Sequence, residues 1–203
     1  RALSLASDGA SFFAFIVDSQ KNAVYRLDFG NSLANTPASP VKIFDSSPLN
    51  SPYGVSVVEE GAIKYLFLAN NADGNLVRLT FSAGFSSSIS QASAVVVSTQ
   101  GIISSTFIYQ NGTLHCAAVV PALGQVLKVT FPNGASDLTA QVLSLNVPGP
   151  LGAELAIENG ACFLFAQARK PATGILRFDF GSSFQNAPAS VQLTGLGFGT
   201  SEL

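Results

Sequence analysis

Apolar residues fall along this chain in short alternating or continuous runs, each stopped by Gly, Pro, Asn, Asp or Ser. β-Branched and aromatic residues dominate the runs, and the turn signals leave room for no more than a short helix between them, so strands are predicted throughout. The first group is LSLAS (3–7), SFFAFIVD (11–18), NAVYRLDF (22–29) and VKIF (41–44). The second is YGVSVVEE (53–60), IKYLFLAN (63–70), NLVRLTF (75–81) and ASAVVVST (92–99). ISSTFIYQ (103–110), TLHCAAVV (113–120), QVLKVTF (125–131) and TAQVLSL (139–145) make the third. LGAELAIE (151–158), ACFLFAQ (161–167), GILRFDF (174–180) and SVQLTGL (190–196) make the fourth.

Two markers keep time across these groups. The third run of each ends at Phe29, Phe81, Phe131 or Phe180, at intervals of 52, 50 and 49 residues. The first turn of each holds Gly9, Gly61, Gly112 or Gly160, at intervals of 52, 51 and 48. Asn-Gly and Asp-Gly between such runs are hairpin signals, because the turn needs φ > 0. A period near 50 in an all-strand pattern indicates propeller blades, and runs such as FFAFIV and YLFLA, apolar on both faces, suit strands packed between two neighbours. The predicted fold class is therefore all-β: a β-propeller built of four-stranded antiparallel blades. It is one domain over 1–203, with four blades at about 1–47, 48–100, 101–148 and 149–198, and 199–203 as the start of a further blade or a tail. Three closures are open: further blades of the same precursor in a larger ring, pairing with a second copy of the chain, or four blades alone. The first is preferred, because an isolated arc exposes an apolar face at each end.

Composition narrows the setting. The chain is 47% hydrophobic but only 11% charged, with net charge −2, so Ser, Thr, Asn and Gln must cover much of its exterior. That surface suits an extracellular or cell-surface protein. No Lys/Arg cluster could neutralise a phosphate backbone, which argues against a nucleic-acid partner. No apolar run is long enough for a membrane span. The absence of Met and of a leader at Arg1 predicts a mature product or an excerpt of something longer. Cys116 and Cys162 sit at nearly matching places in neighbouring repeats, on sheets packed about 10 Å apart. A disulfide needs Cα atoms within about 7 Å, so two buried free thiols are expected.

Little of the chain resembles a chemical site. Arg26, Arg78, Lys128 and Arg177 recur on one face of the third strand and could ring a channel for an anion; their recurrence fits a repeated inter-blade contact better. His115, the only histidine, has no partner at metal or triad spacing. Asp18, Asp73, Asp137, Glu154 and Glu158 are scattered over different blades and strand ends, so no pair is singled out for glycoside hydrolysis. The NNADGN segment (70–75) reads as a turn satisfied by its own Asn and Asp side chains, lacking the acidic pattern of a calcium loop. Asn111-Gly112-Thr113 is a formal glycosylation acceptor inside a tight turn. The loops after the third strands, GNSLANTPAS (30–39), SAGFSSSISQ (82–91) and GSSFQNAPAS (181–190), are expected to tuck Leu33, Phe85 and Phe184 under themselves as plugs. No catalytic, cofactor-binding or metal residue is assigned.

YRLDFGNSLANTPAS (25–39) and LRFDFGSSFQNAPAS (176–190) resemble the repeats of large secreted surface proteins of gliding Bacteroidetes and their relatives. SPYGVSVVEEGAIKYLFLANNADGNLVRLTF (51–81) also resembles a blade of NHL-type propellers. The likeness covers essentially the whole chain and is weakest in the third blade, where PNGASDLTA (132–140) is shorter. It implies export to the cell surface and adhesion, and carries over no catalytic or ligand residue. The expected function is a non-enzymatic propeller for adhesion, protein interaction or surface assembly, with a surface protein or glycan as partner. A carbohydrate-binding propeller is the alternative, and a polysaccharide-acting hydrolase or lyase the third reading.

Overall fold

A computed structural model describes residues 2–169 and 173–193 of the chain. It forms four four-stranded antiparallel sheets, each with its strands in sequence order, arranged as propeller blades. The first blade holds β1 (Leu3–Asp8), β2 (Ser11–Asp18), β3 (Ala23–Gly30) and β4 (Val41–Phe44). The second holds β5 (Pro52–Glu60), β6 (Ile63–Asn70), β7 (Asn75–Phe81) and β8 (Ile89–Val96). The third holds β9 (Ser104–Gln110), β10 (Thr113–Val120), β11 (Gln125–Phe131) and β12 (Gln141–Asn146). The fourth holds β13 (Pro150–Glu158), β14 (Ala161–Ala168), β15 (Gly174–Asp179) and β16 (Ala189–Leu193).

The outermost strands depart most from expectation. β8 starts three residues earlier than the apolar run 92–99 and stops at Val96, because Val97 turns inward to be buried and bonds back to Gly74. Part of the last run, 194–196, lies outside the described residues. The hairpins also divide into two kinds. Asn111-Gly112 and Asn159-Gly160 take positive φ at both central residues, as expected. In the first two blades Gly9 and Gly61 are instead the first of two central residues, so Asp8 and Glu60 are the last residues of their strands.

The first strands run side by side: β1 packs on β5, β5 on β9 and β9 on β13. No comparable packing joins β13 back to β1 among the described residues. Three apolar cores fill the junctions, one between each successive pair of blades. The middle strands show the consequence. β6 and β10 are buried on both faces, from Tyr65 and Leu114 onward. β14 alternates instead, with Cys162, Leu164 and Ala166 buried toward the third blade and Phe163 and Phe165 only half-buried on its other face. Cys116 and Cys162 are both free and buried, in different junction cores.

Candidate functional site

Three of the four repeated cations, Arg26, Arg78 and Lys128, are structural, and each junction is built the same way. Arg26 Nη1 donates to the carbonyls of Phe85 (2.6 Å) and Ser87 (3.3 Å) in the loop of the next blade. Arg78 Nη1 donates to Ala135 and Ser136 carbonyls, both at 2.6 Å, and Lys128 Nζ to the Asn186 carbonyl at 2.9 Å. On the other side of the same loop, the last residue of the first strand accepts a backbone N–H. Asp8 Oδ2 accepts from Phe85 (2.9 Å), Glu60 Oε1 from Ala135 (3.2 Å), and Gln110 Oε1 from Phe184 (2.9 Å). The plug residue between these two grips, Phe85, Ala135 or Phe184, is fully buried. A loop is thus latched by its N–H and its C=O around an apolar plug.

An aromatic ring lies beneath each arginine: Phe13 is 5.9 Å from Arg26, Tyr65 is 5.6 Å from Arg78, and Phe163 is 5.7 Å from Arg177. In the third blade the equivalent place on the second strand is taken by His115. Its Nδ1 pairs with Thr130 Oγ1 at 3.1 Å, and its ring meets the plug Phe184 edge-on at 5.2 Å. Burial, with Lys128 nearby, lowers its pKa to about 4. Lys128 lies over the Phe180 and Phe184 rings, and burial lowers its pKa too.

The NADG segment is likewise a structural turn. Asp73 Oδ1 accepts from Asn75 N (3.0 Å), and Asn70 Nδ2 donates to the Pro48 carbonyl (2.9 Å). Gly101 approaches Asn71 so closely that a Cβ there would stand 1.9 Å from the Asn71 carbonyl oxygen. Asp18 and Asp137 bind their own turns, Asp18 at the N–H groups of Gln20 and Lys21 and Asp137 at that of Thr139. The Asn133 amide also donates to Asp137 and is the first cause holding that carboxyl below its usual pKa. Among the described residues no three His, Cys, Asp or Glu side chains converge as a metal site would require.

What remains is the face of the fourth blade that no other blade covers among the described residues. A cavity of about 330 Å³ opens on it, lined by Gly152, Ala153, Glu154, Phe165, Gln167 and Ile175. Two of these residues break the repeat. Position 154 corresponds to Ser4, Ser56 and Thr106 in the other blades, all directly opposite the fifth residue of the second strand. Position 167 corresponds to Val17, Ala69 and Val119, which are fully buried, whereas Gln167 is exposed. A carboxylate and an amide therefore stand where the other blades place a hydroxyl and a core aliphatic, beside the half-buried Phe165 ring. Thr106 Oγ1 donates to Glu154 Oε1 at 3.2 Å and fixes one carboxylate oxygen. Glu154 was among the scattered acids in the sequence; Phe165 and Gln167 carried no signal until the repeats were superposed residue by residue.

No family model and no curated relative matches the chain. Solved structures do match. An exo-β-1,3-galactanase from Phanerochaete chrysosporium, solved with galactose, superposes with TM-score 0.68 at 13% identity, over 94% of this chain and 49% of that one. A thermostable family-43 glycoside hydrolase matches with TM-score 0.63 at 9% identity, over 94% of this chain and 70% of that one. The hydrazine synthase of Kuenenia stuttgartiensis matches with TM-score 0.63 at 9% identity, over 95% and 53%. The chain spans about half the length of the first and third. At such identities the likeness shows the fold. It also corrects the expectation of a non-enzymatic adhesion or surface-assembly propeller, since the shape recurs in glycoside hydrolases, family 43 among them.

Proposed function

We propose that this chain is the four-blade part of a carbohydrate-active propeller, with a glycan bound in the cleft on the fourth blade. The observation that carries it is the pair Glu154 and Gln167. Both put polar groups where a repeating blade would put small or apolar ones, and both flank an accessible aromatic ring. Aromatic face, amide and carboxylate are the groups a pyranose needs: an apolar patch for its C–H face and hydrogen-bond partners for its hydroxyls. Two of the similar solved structures are of a β-1,3-galactanase, which supports the ligand class.

Hydrolysis asks for more than the cleft holds. Two carboxyl groups must face each other, at about 5–5.5 Å for retention or about 6.5–9.5 Å for inversion. Among the described residues Glu154 is the only carboxylate lining the cavity. The second is supplied by whatever completes the ring, further blades or another chain. The uncharged polar exterior supports a site of action outside the cell, where polysaccharides are met.

β-1,3-Galacto-oligosaccharides titrated into the protein, followed by NMR and calorimetry, test this reading. Binding should be lost or weakened about tenfold or more in Phe165→Ala and Glu154→Gln. Absence of binding to these and to xylo-oligosaccharides at millimolar concentration, or binding indifferent to both substitutions, would sink it.

A further inference from the structure

We infer that the exposed face of the fourth blade is a socket for the first-blade loop of a second copy of this chain. It rests on Leu33, Arg177 and Glu158, none of which lines the glycan cleft on the same face. The three internal junctions supply the rule: a cation and a strand-end acceptor on one blade grip the plug loop of the next. The fourth blade carries the gripping half with nothing in its grip among the described residues. Arg177 is posed over Phe163 as Arg26 is over Phe13, yet its guanidinium makes no hydrogen bond among the described residues. Glu158 occupies the place of Asp8, Glu60 and Gln110, one strand-end before the turn, and is exposed.

The first blade carries the complementary half. Its loop is folded like the latched loop of the fourth blade. Asn35 Nδ2 donates to the Phe29 carbonyl at 2.8 Å as Asn186 Nδ2 donates to that of Phe180 at 2.8 Å. Asp28 accepts from Gly30 N at 2.8 Å as Asp179 accepts from Gly181 N at 2.8 Å. Backbone bonds Asn35 N to Ser32 O and Asn186 N to Ser183 O, both 3.0 Å, close the two loops identically. Yet Leu33, at the place of the fully buried Phe184, is 49% exposed. It does not tuck under its own loop as the sequence led us to expect, because a plug is buried by a neighbouring blade and no described residues pack on that side of the first.

A preformed plug and an unfilled latch thus sit at opposite ends of one arc. The apolar faces behind them agree: Leu3 and Leu5 are exposed on the first blade, and Phe163 is half-buried on the fourth. A further blade set between the two ends would have to supply both missing halves, whereas this chain already carries one of each. Two copies arranged head to tail satisfy both ends of both chains through two identical junctions, closing about eight blades, within the range propellers adopt.

Light scattering on the purified chain across a concentration series reads the result. Wild type should reach twice the 21.0 kDa chain mass. Leu33→Asp and Arg177→Glu, both at accessible positions with circular dichroism as the check on folding, should each weaken the dimer about 30-fold or more. Mixing the two variants should restore part of the association, since each mixed pair keeps one intact junction. A wild-type chain that stays monomeric at about 1 mM overturns the inference and points to further blades as the occupant. A dimer that survives either charge change, or variants that do not complement each other, also overturns it.

Discussion

The side chain beneath each cation decides how its junction responds to pH. Phe13, Tyr65 and Phe163 do not titrate near neutrality, but His115 takes their place in the third blade. Its folded-state pKa of about 4 lies below the unfolded value of 6.5, because burial and Lys128 oppose a second charge. Between those values the unfolded chain binds the proton that the folded chain refuses. Stability therefore falls as pH drops from about 6.5 towards about 4, by at most about 1.4 kcal/mol per pH unit for one proton. His115→Phe should flatten that slope in urea titrations run across the window, at the cost of the Thr130 hydrogen bond. The cations make a second test. Arg78 is 5% exposed and its two short bonds go to the carbonyls of buried Ala135 and exposed Ser136. Arg78→Ala should lower unfolding free energy by about 2–4 kcal/mol, and Arg78→Lys by less, since an ammonium keeps the charge but not the planar fork.

At the scale of elements, strands fill the core of each junction and the loops after the third strands latch it. Phe184 sits against Phe180 at 4.7 Å and His115 at 5.2 Å, wholly buried. Phe184→Ala should cost about 3–5 kcal/mol in equilibrium unfolding. Leu33→Ala, the same change of element in the first blade, should stay within about 0.5 kcal/mol when measured on dilute monomer. Equal losses at the two sites would contradict the assignment of Leu33 as an unlatched plug. The blades themselves were legible in the sequence, because strand period and turn glycines are local properties repeated four times. The plug loops were half-legible: near-copied residues revealed the element, but not that the preceding blade buries it. The acceptors Asp8, Glu60 and Gln110 were invisible, since they differ in side chain and bind backbone N–H groups, which leave no mark in a sequence.

For the whole molecule, what holds the arc together is cation-to-carbonyl bonding and apolar packing, not pairing of opposite charges. Among the described residues the ion pairs are Lys42–Asp45 and Lys64–Glu59, both within a single blade. This explains how so sparsely charged a chain keeps basic residues in its interior: each has carbonyl oxygens waiting in the next blade. The same economy hid the cleft from sequence reading, since Glu154 and Gln167 are ordinary polar residues until the other three blades define what should stand there. It also fixes a physical expectation. Ion pairs on the surface are screened once the Debye length falls below about 10 Å, whereas buried cation–carbonyl contacts and apolar cores are not. Melting temperature should therefore move by no more than about 2 °C between about 0.02 and about 0.5 M NaCl. Differential scanning calorimetry over that range decides the point. A fall of several degrees with added salt would mean that charge pairing, not the repeated latch, carries the cohesion of the blades.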